Sequence, residues 1–362
     1  MYILTHLKRL DWVLTTTSIL LVGIGLLSIY SSSFGKGDFS NFNKQIIFFA
    51  LGFFLMLVLS FFDWRTFKTN SYFILGLYFF CVLSLIGLFF LAPEIRGVKG
   101  WYKLGPVSFD PIELTKIVLI ILLAKYFSMK HVEMYRLRHI FLSGFYVLLP
   151  SFLIFRQPDF GSAIILIALW IGVLIISGIK LRHFLILSLC GILVLTLAWS
   201  FFLQDYQRER VISFLAPEAE PLGMGWSQIQ SKIAIGSGGF FGQGMMQGSQ
   251  TQYGFLSEPH TDFIFASIAE EFGLLGISFL FFLYIILFWR IMKIAIASQT
   301  NFPRLFASGI VIVLSSQLFI NIGMNLGLLP VIGISLPLLS YGGSGLIAVF
   351  ISFGILQSIK VD

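Results

Sequence analysis

The chain has 362 residues, of which 57% are hydrophobic and 11% charged, and it carries a formal net charge of +7. A mean hydropathy of +0.92 is more than a water-soluble chain of this length can bury. A bilayer is therefore the expected solvent, and one all-α polytopic membrane domain over 1–362 the expected organisation. The basic residues fall in short loops between apolar runs, not in one patch, which argues against a nucleic-acid partner.

A membrane-crossing helix takes roughly 20 mostly apolar residues. That rule places ten spans near 12–31, 45–62, 71–91, 111–127, 139–156, 160–178, 183–203, 262–289, 305–329 and 337–357. The first, VLTTTSILLVGIGLLSIY, follows basic residues without a small-residue cleavage site and reads as a retained span. Cys81 and Cys190 both lie inside apolar runs, with neither disulfide nor zinc spacing. Between the seventh and eighth spans, residues 204–261 form one long, glycine-rich loop. Its bulky apolar groups, in WSQIQSKIAIG and GGFFG, predict amphipathic or re-entrant pieces packed over the mouth of the bundle. Alternating loops divide the charge unevenly. With the N-terminus inside, the inner segments hold fourteen of the 24 Lys and Arg residues against four acids. Both termini are then expected in the cytoplasm, with the 204–261 loop outside.

Several ionisable residues fall at or near membrane depth. Glu113 and Lys116 open the fourth span, three residues apart on one helix face. Arg156 and Asp159 bracket the turn RQPDFG; Arg208, Glu209, Arg210 and Lys232 belong to the long loop. Asp262 stands at the start of the eighth span, and Glu270 lies eight residues on, ~12 Å deeper at 1.5 Å per residue. Each also has a structural reading. Glu113 and Lys116 form a plain ion pair; Asp159 caps the sixth span; His260 or Thr261 caps the eighth, with Asp262 facing the helix dipole; Glu270 and Glu271 tie helices together. The coincidence of so many sites on one side of one membrane points instead to a functional cavity. GSGGFFGQG lacks the ending and spacing of a nucleotide loop. It reads as tight turns whose amides approach a ligand phosphate. LPLLSYGGSG, with Ser340, reads as a break leading into the last helix.

QSKIAIGSGGFFGQG, SEPHTDFIFASIAEEFGLLG and LPVIGISLPLLSYGGSG closely resemble the SEDS family (shape, elongation, division and sporulation), whose members are bacterial cell-wall polymerases. LDWVL, GVKGWYKLGPVSFDPIELTKI, RQPDFGSA and YQRERVISFLAPEAEPLG extend the likeness over nearly the whole chain. The short length and the DW opening are more similar to the elongation branch than to the division branch. The resemblance implies a peptidoglycan glycosyltransferase of the bacterial cytoplasmic (inner) membrane, acting outward on lipid II and the growing undecaprenyl-pyrophosphate glycan. It also implies a class B penicillin-binding transpeptidase as partner. The family's catalytic aspartate matches Asp262, its Pro-x-Glu-x-x-Lys element matches Glu113 and Lys116, and its Gln-Pro-Asp turn matches Asp159. Departures stand at Asp110, Ile112, Gly100 and Ser257, in place of the usual Gln, Ser, Arg and Pro.

On this reading Asp262 is the general base for the acceptor hydroxyl, and a single base with in-line attack inverts the anomeric carbon. Lys116, Arg210 and Lys232 are expected to neutralise the pyrophosphate, with Glu113, Asp159, His260 and Ser340 completing the substrate contacts. The scheme leaves a place for a divalent cation, Mg²⁺ or Mn²⁺, on Asp or Glu oxygens. The alternative is a flippase or transporter of lipid-linked precursor, which should place charge near the midplane. A scaffold without chemistry would not need buried acids.

Overall fold

The computed structural model describes residues 2–93, 100–105, 107–130, 137–201, 208, 212–215 and 224–361. It is a helical bundle. In chain order the helices are α1 (Tyr2–Arg9), α2 (Trp12–Lys36), α3 (Ser40–Ser60), α4 (Arg65–Thr69), α5 (Ser71–Leu91), α6 (Pro111–Lys130), α7 (Leu137–Arg156), α8 (Phe160–Ile176) and α9 (Leu181–Phe201). After them come α10 (Met224–Ser237), α11 (Ser249–Gln252), α12 (Ile264–Ala297), α13 (Asn301–Asn325) and α14 (Gly343–Val361). Each expected span falls on one of α2, α3, α5 to α9 and α12 to α14. Among the described residues, seven helices are long and apolar enough to cross a membrane. α8 is shorter at 17 residues. α6 carries Glu113, Lys116, Lys125 and Lys130, and is buried without a break from Ile117 to Ala124. Its charges are tolerated because it faces protein.

Boundaries shift by several residues at a number of spans, and two of the shifted starts bear on the site. The eighth span starts at Ile264, behind the N-cap Phe263, which makes no side-chain capping bond. His260 and Thr261 are therefore not its caps, and Asp262 precedes the helix. The tenth starts at Gly343 because residues 331–342 form a non-helical segment in which Leu338 takes a φ of 68°. A small hairpin of β1 (Tyr102–Leu104) and β2 (Val107–Phe109) precedes α6, pairing Tyr102 with Phe109 and Leu104 with Val107.

Polar pairs distant in sequence identify the two ends of the bundle. At one end His6 meets Ser60, Trp64 stacks on Phe302, and Ser358 donates to the Phe62 carbonyl. There too Asp11, 3% exposed, caps α2 through the Leu14 N–H and accepts three bonds from Arg290, the shortest at 2.5 Å. Gln357 closes the group by accepting from the Asp11 N–H at 2.7 Å and donating to its carbonyl at 3.1 Å. At the other end Gln45 meets Ser340, Ser32 meets His260, and the Asp110 N–H donates to Ser344. Lys8, Arg9, Arg65, Lys68, Lys125, Lys130, Arg138, Lys180, Arg182, Lys293, Arg304 and Lys360 accompany the first group by helix direction. It is the basic end, and the second is the loop end.

α12 is broken at Gly273, whose φ of 62° and ψ of −160° lie outside the helical region. A break at membrane depth strands backbone groups unless something replaces the helical bonds. The glycine-rich loop does so. The carbonyls of Glu270 and Glu271 accept from the N–H groups of Gln243 and Gly244, at 2.9 and 3.0 Å. In return Leu274 and Leu275 donate to the carbonyls of Gly239 and Phe240, at 3.0 and 3.1 Å. This exchange needs backbone against backbone: a Cβ on Gly242 would stand 2.2 Å from the Glu271 carbonyl oxygen, at a φ of +84°. The loop amides of Gln243 and Gly244 thus serve α12, which corrects the expectation that they approach a ligand phosphate. Gly242→Ala is expected to lose most folded protein, read as monodisperse yield after detergent extraction. A normal yield would mean the loop accommodates the methyl group.

The two buried acids beside the break bind the same loop. Glu270 accepts from the N–H groups of Gln250 and Thr251 and from the Thr251 hydroxyl, at 2.7, 3.0 and 2.8 Å. Glu271 accepts from the Ser31 hydroxyl on α2 and from the Met246 N–H. They tie elements together, as their structural reading expected.

Candidate active site

The site is built from the turn at 258–263. Glu258 adopts a φ of 46°, and its carbonyl accepts from the N–H groups of Thr261 and Phe263. Three successive carbonyls of this turn are held from outside it. That of His260 accepts from the Tyr341 N–H at 2.8 Å, and that of Thr261 from the Ser340 hydroxyl at 2.7 Å. That of Asp262 accepts from both Asn321 and Asn325 on α13, at 3.0 and 2.9 Å. The Asn325 side chain also accepts from the Ala266 N–H. At ~1 kcal/mol net for each neutral bond, the clamp is worth a few kcal/mol and fixes the backbone beneath Asp262. Asp262 itself is part-exposed. Its Oδ2 faces Gly333, where a Cβ would stand 3.8 Å away.

Glu113 and the α8 head that Asp159 caps lie against the same 331–345 segment. Asp159 caps α8 through the Ser162 N–H at 3.0 Å, as its structural reading expected. A Cβ on Gly345 would lie 3.5 Å from the Glu113 carboxyl carbon, which sets α14 against the head of α6. Glu113 accepts from the Lys116 ammonium at 2.7 Å, with the two side chains 16% and 5% exposed. Lys116 therefore spends its charge on Glu113. Nearby, burial first and then Glu113 hold the Asp110 carboxyl well above the usual carboxylate range. Asp159 adds to that rise, while Lys116 and the Ile112 N–H oppose it. Asp110, Glu113, Lys116 and Asp159 form one electrostatic cluster. Behind it a cavity of ≈ 30 Å³ is lined in part by Glu113, Lys116, Gln317 and Ser352. That volume fits one water.

His260 is 8% exposed, with Nδ1 2.6 Å from the Ser32 hydroxyl. Ser340 uses its hydroxyl internally, accepting from the Leu336 N–H and donating to Thr261. Both residues position the turn. Lys232 is exposed, and its stem crosses Gly327, where a Cβ would stand 2.0 Å from Cε. It adjoins Ser231, whose hydroxyl donates to the Asn325 carbonyl at 2.8 Å. Arg210 and Glu209 lie outside the described residues. Among the described residues no group of three or more His, Cys, Asp or Glu side chains could hold a metal by protein ligands alone.

Sequence reasoning missed Asn321 and Asn325, though two amides one turn apart in an apolar helix were a signal. It also missed Gln45, which bridges the Ser340 carbonyl and the Gly342 N–H. Asn325→Leu is expected to lower turnover at least tenfold, because it strands the Ala266 N–H and half of the clamp on Asp262. The check is turnover per folded molecule; unchanged turnover would mean Asn321 suffices.

Comparison with known proteins finds relatives that match nearly the whole chain. Residues 11–362 match the FTSW_RODA_SPOVE family model, described as "Cell cycle protein". The chain is 38% identical over 346 residues to the peptidoglycan glycosyltransferase MrdB of Escherichia coli K12, covering 94% of this chain and 92% of that protein. It also superimposes on a structure described as "Structural coordination of polymerization and crosslinking by a peptidoglycan synthase complex". There the TM-score is 0.82, at 30% identity and 97% coverage of both chains. The crystal structure of the Thermus thermophilus rod shape determining protein RodA gives a TM-score of 0.71 at 29% identity, covering 97% of this chain and 96% of that one.

Proposed function

The chain belongs to the FtsW/RodA/SpoVE (SEDS) family, and from that premise we propose that it is a peptidoglycan glycosyltransferase that polymerises lipid II with Asp262 as general base. The observation that carries this reading is one part-exposed carboxylate on a turn whose backbone is held at three carbonyls. A base must be near the proton it takes and must stay there, and the clamp supplies that constancy.

The reaction needs little else from the protein. The acceptor sugar hydroxyl attacks the anomeric carbon of the donor, and the bond to the undecaprenyl pyrophosphate breaks. Asp262 takes the hydroxyl proton as the new glycosidic bond forms. The leaving group is already stable, so a strong general acid is unnecessary. In-line attack inverts the α-linked donor to a β-linked polymer. Lys232, exposed and adjoining Ser231, which bonds the Asn325 carbonyl, is the cation assigned here to the pyrophosphate, with Arg210 as its proposed companion. Lys116 instead holds Glu113 and sets the head of α6. Mg²⁺ is commonly bound by one or two carboxylates together with substrate phosphates. Asp159 is the side chain that would hold a Mg²⁺ or Mn²⁺ together with the substrate phosphates, leaving Asp262 to act as base, and the chemistry of that ion would be to neutralise the leaving pyrophosphate.

The excess of Lys and Arg at the other end supports a cytoplasmic placement of that end and both termini, with the Asp262 turn facing outward. The likeness to a synthase complex supports a class B transpeptidase as partner. The test is polymerisation of labelled lipid II by the purified chain, alone and with that partner, in liposomes. Glycan product sustains the proposal. Movement of labelled lipid without product would make the chain a transporter.

A further inference from the structure

Lys125 has no part in this chemistry. It lies on α6 five residues from the helix end at Lys130, ~7.5 Å along the axis from the basic end of the bundle. It is 8% exposed, and among the described residues its ammonium is a buried donor with no hydrogen-bond partner. A lone ammonium at this depth is costly unless an anion meets it.

The surroundings say what kind of anion fits. Lys125 lines a cavity of ≈ 240 Å³ among α5, α6 and α7, together with Ser71, Leu75, Leu122, Met129 and Tyr146. At ~30 Å³ per water, that is room for about eight waters. Ser71 is the first residue of α5 and Met129, 65% exposed, is next to last on α6, so one side reaches the rim of the bundle. Tyr146 is nine residues into α7, so the cavity continues toward hydrocarbon depth. The walls between are mostly apolar. Among the described residues, the flanking elements at this end carry the exposed cations Lys68 and Arg138, whereas the acid Asp63 accepts from the Arg65 N–H and does not line the cavity.

We propose that this cavity is a binding site for an anionic phospholipid, with the headgroup phosphate on the Lys125 ammonium and the upper part of an acyl chain against Leu75 and Leu122. A phosphate supplies the missing charge partner, the apolar walls suit a chain, and the basic rim favours an anionic leaflet.

The full chain, purified in phosphatidylcholine micelles and titrated with phosphatidylglycerol, is to be read by native mass spectrometry of retained lipid. Phosphatidylglycerol is expected to be retained in preference to phosphatidylcholine, and Lys125→Met to lower that retention about tenfold. Lys125→Arg is expected to keep most of it. Leu75→Trp fills the cavity with the lysine in place, is expected to lose retention too, and answers the question if Lys125→Met fails to fold. Equal retention of the two lipids, or equal phosphatidylglycerol retention in the wild type and Lys125→Met, overturns the proposal. Inorganic phosphate alone, binding in a Lys125-dependent way and displacing the lipid at millimolar concentration, would make this a free-phosphate site and overturn the lipid assignment.

Discussion

Asp262→Asn is expected to lower lipid II polymerisation by about 10²- to 10⁴-fold, the usual worth of a positioned general base. The chain should still fold, because Asn321 and Asn325 grip the backbone carbonyl of residue 262 and Ser340 and Tyr341 grip those before it. Asparagine keeps the size of the side chain and removes its basicity. The decisive measurement is turnover of labelled lipid II by the variant and the wild type, each matched for folded protein and supplied with the partner transpeptidase. A purely structural Asp262 predicts a melting temperature that falls together with activity. The base assignment predicts a melting temperature that barely moves. Activity near the wild-type level would remove Asp262 from the chemistry.

The second large effect lies at the opposite end of the bundle. Arg290→Met is expected to destabilise the chain by about 3–5 kcal/mol, because it leaves the Asp11 carboxylate buried without its cation. Asp11 is 3% exposed and is tied to α2, to Arg290 and, through its backbone, to Gln357. Asp11→Asn should cost less. Asparagine can still cap α2, and the stranded Arg290 is more exposed and keeps the Trp289 ring, whose centroid is 5.6 Å from its Cζ. Thermal unfolding in one detergent ranks the three proteins, with Arg290→Met lowest. A reversed order would show that the cap, not the ion pair, dominates at Asp11.

The two predictions separate what each end does. At the basic end, charge closes the junction of α2, α12 and α14 and serves stability. At the loop end, neutral amides and hydroxyls hold the backbone that carries Asp262.

Composition and apolar run lengths alone determined that this chain lives in a bilayer and crosses it repeatedly, because hydrocarbon leaves few backbone solutions besides the helix. The motifs around Asp262, Glu113 and Asp159 were legible for a related reason: ionisable residues in so apolar a chain are few, and each stands out. Three things were decided only by the tertiary structure. The start of α12 at Ile264 follows from the Glu258 turn and its partners on residues 340–341, which no local signal reveals. The glycine-rich loop looked like a ligand cradle because glycine marks close backbone approach without naming what approaches; here it is the broken α12. Asn321, Asn325 and Gln45 gave no sign of their role until folding brought them to the turn, since hydrogen-bond partners 59 to 297 residues apart are set by packing and not by sequence spacing.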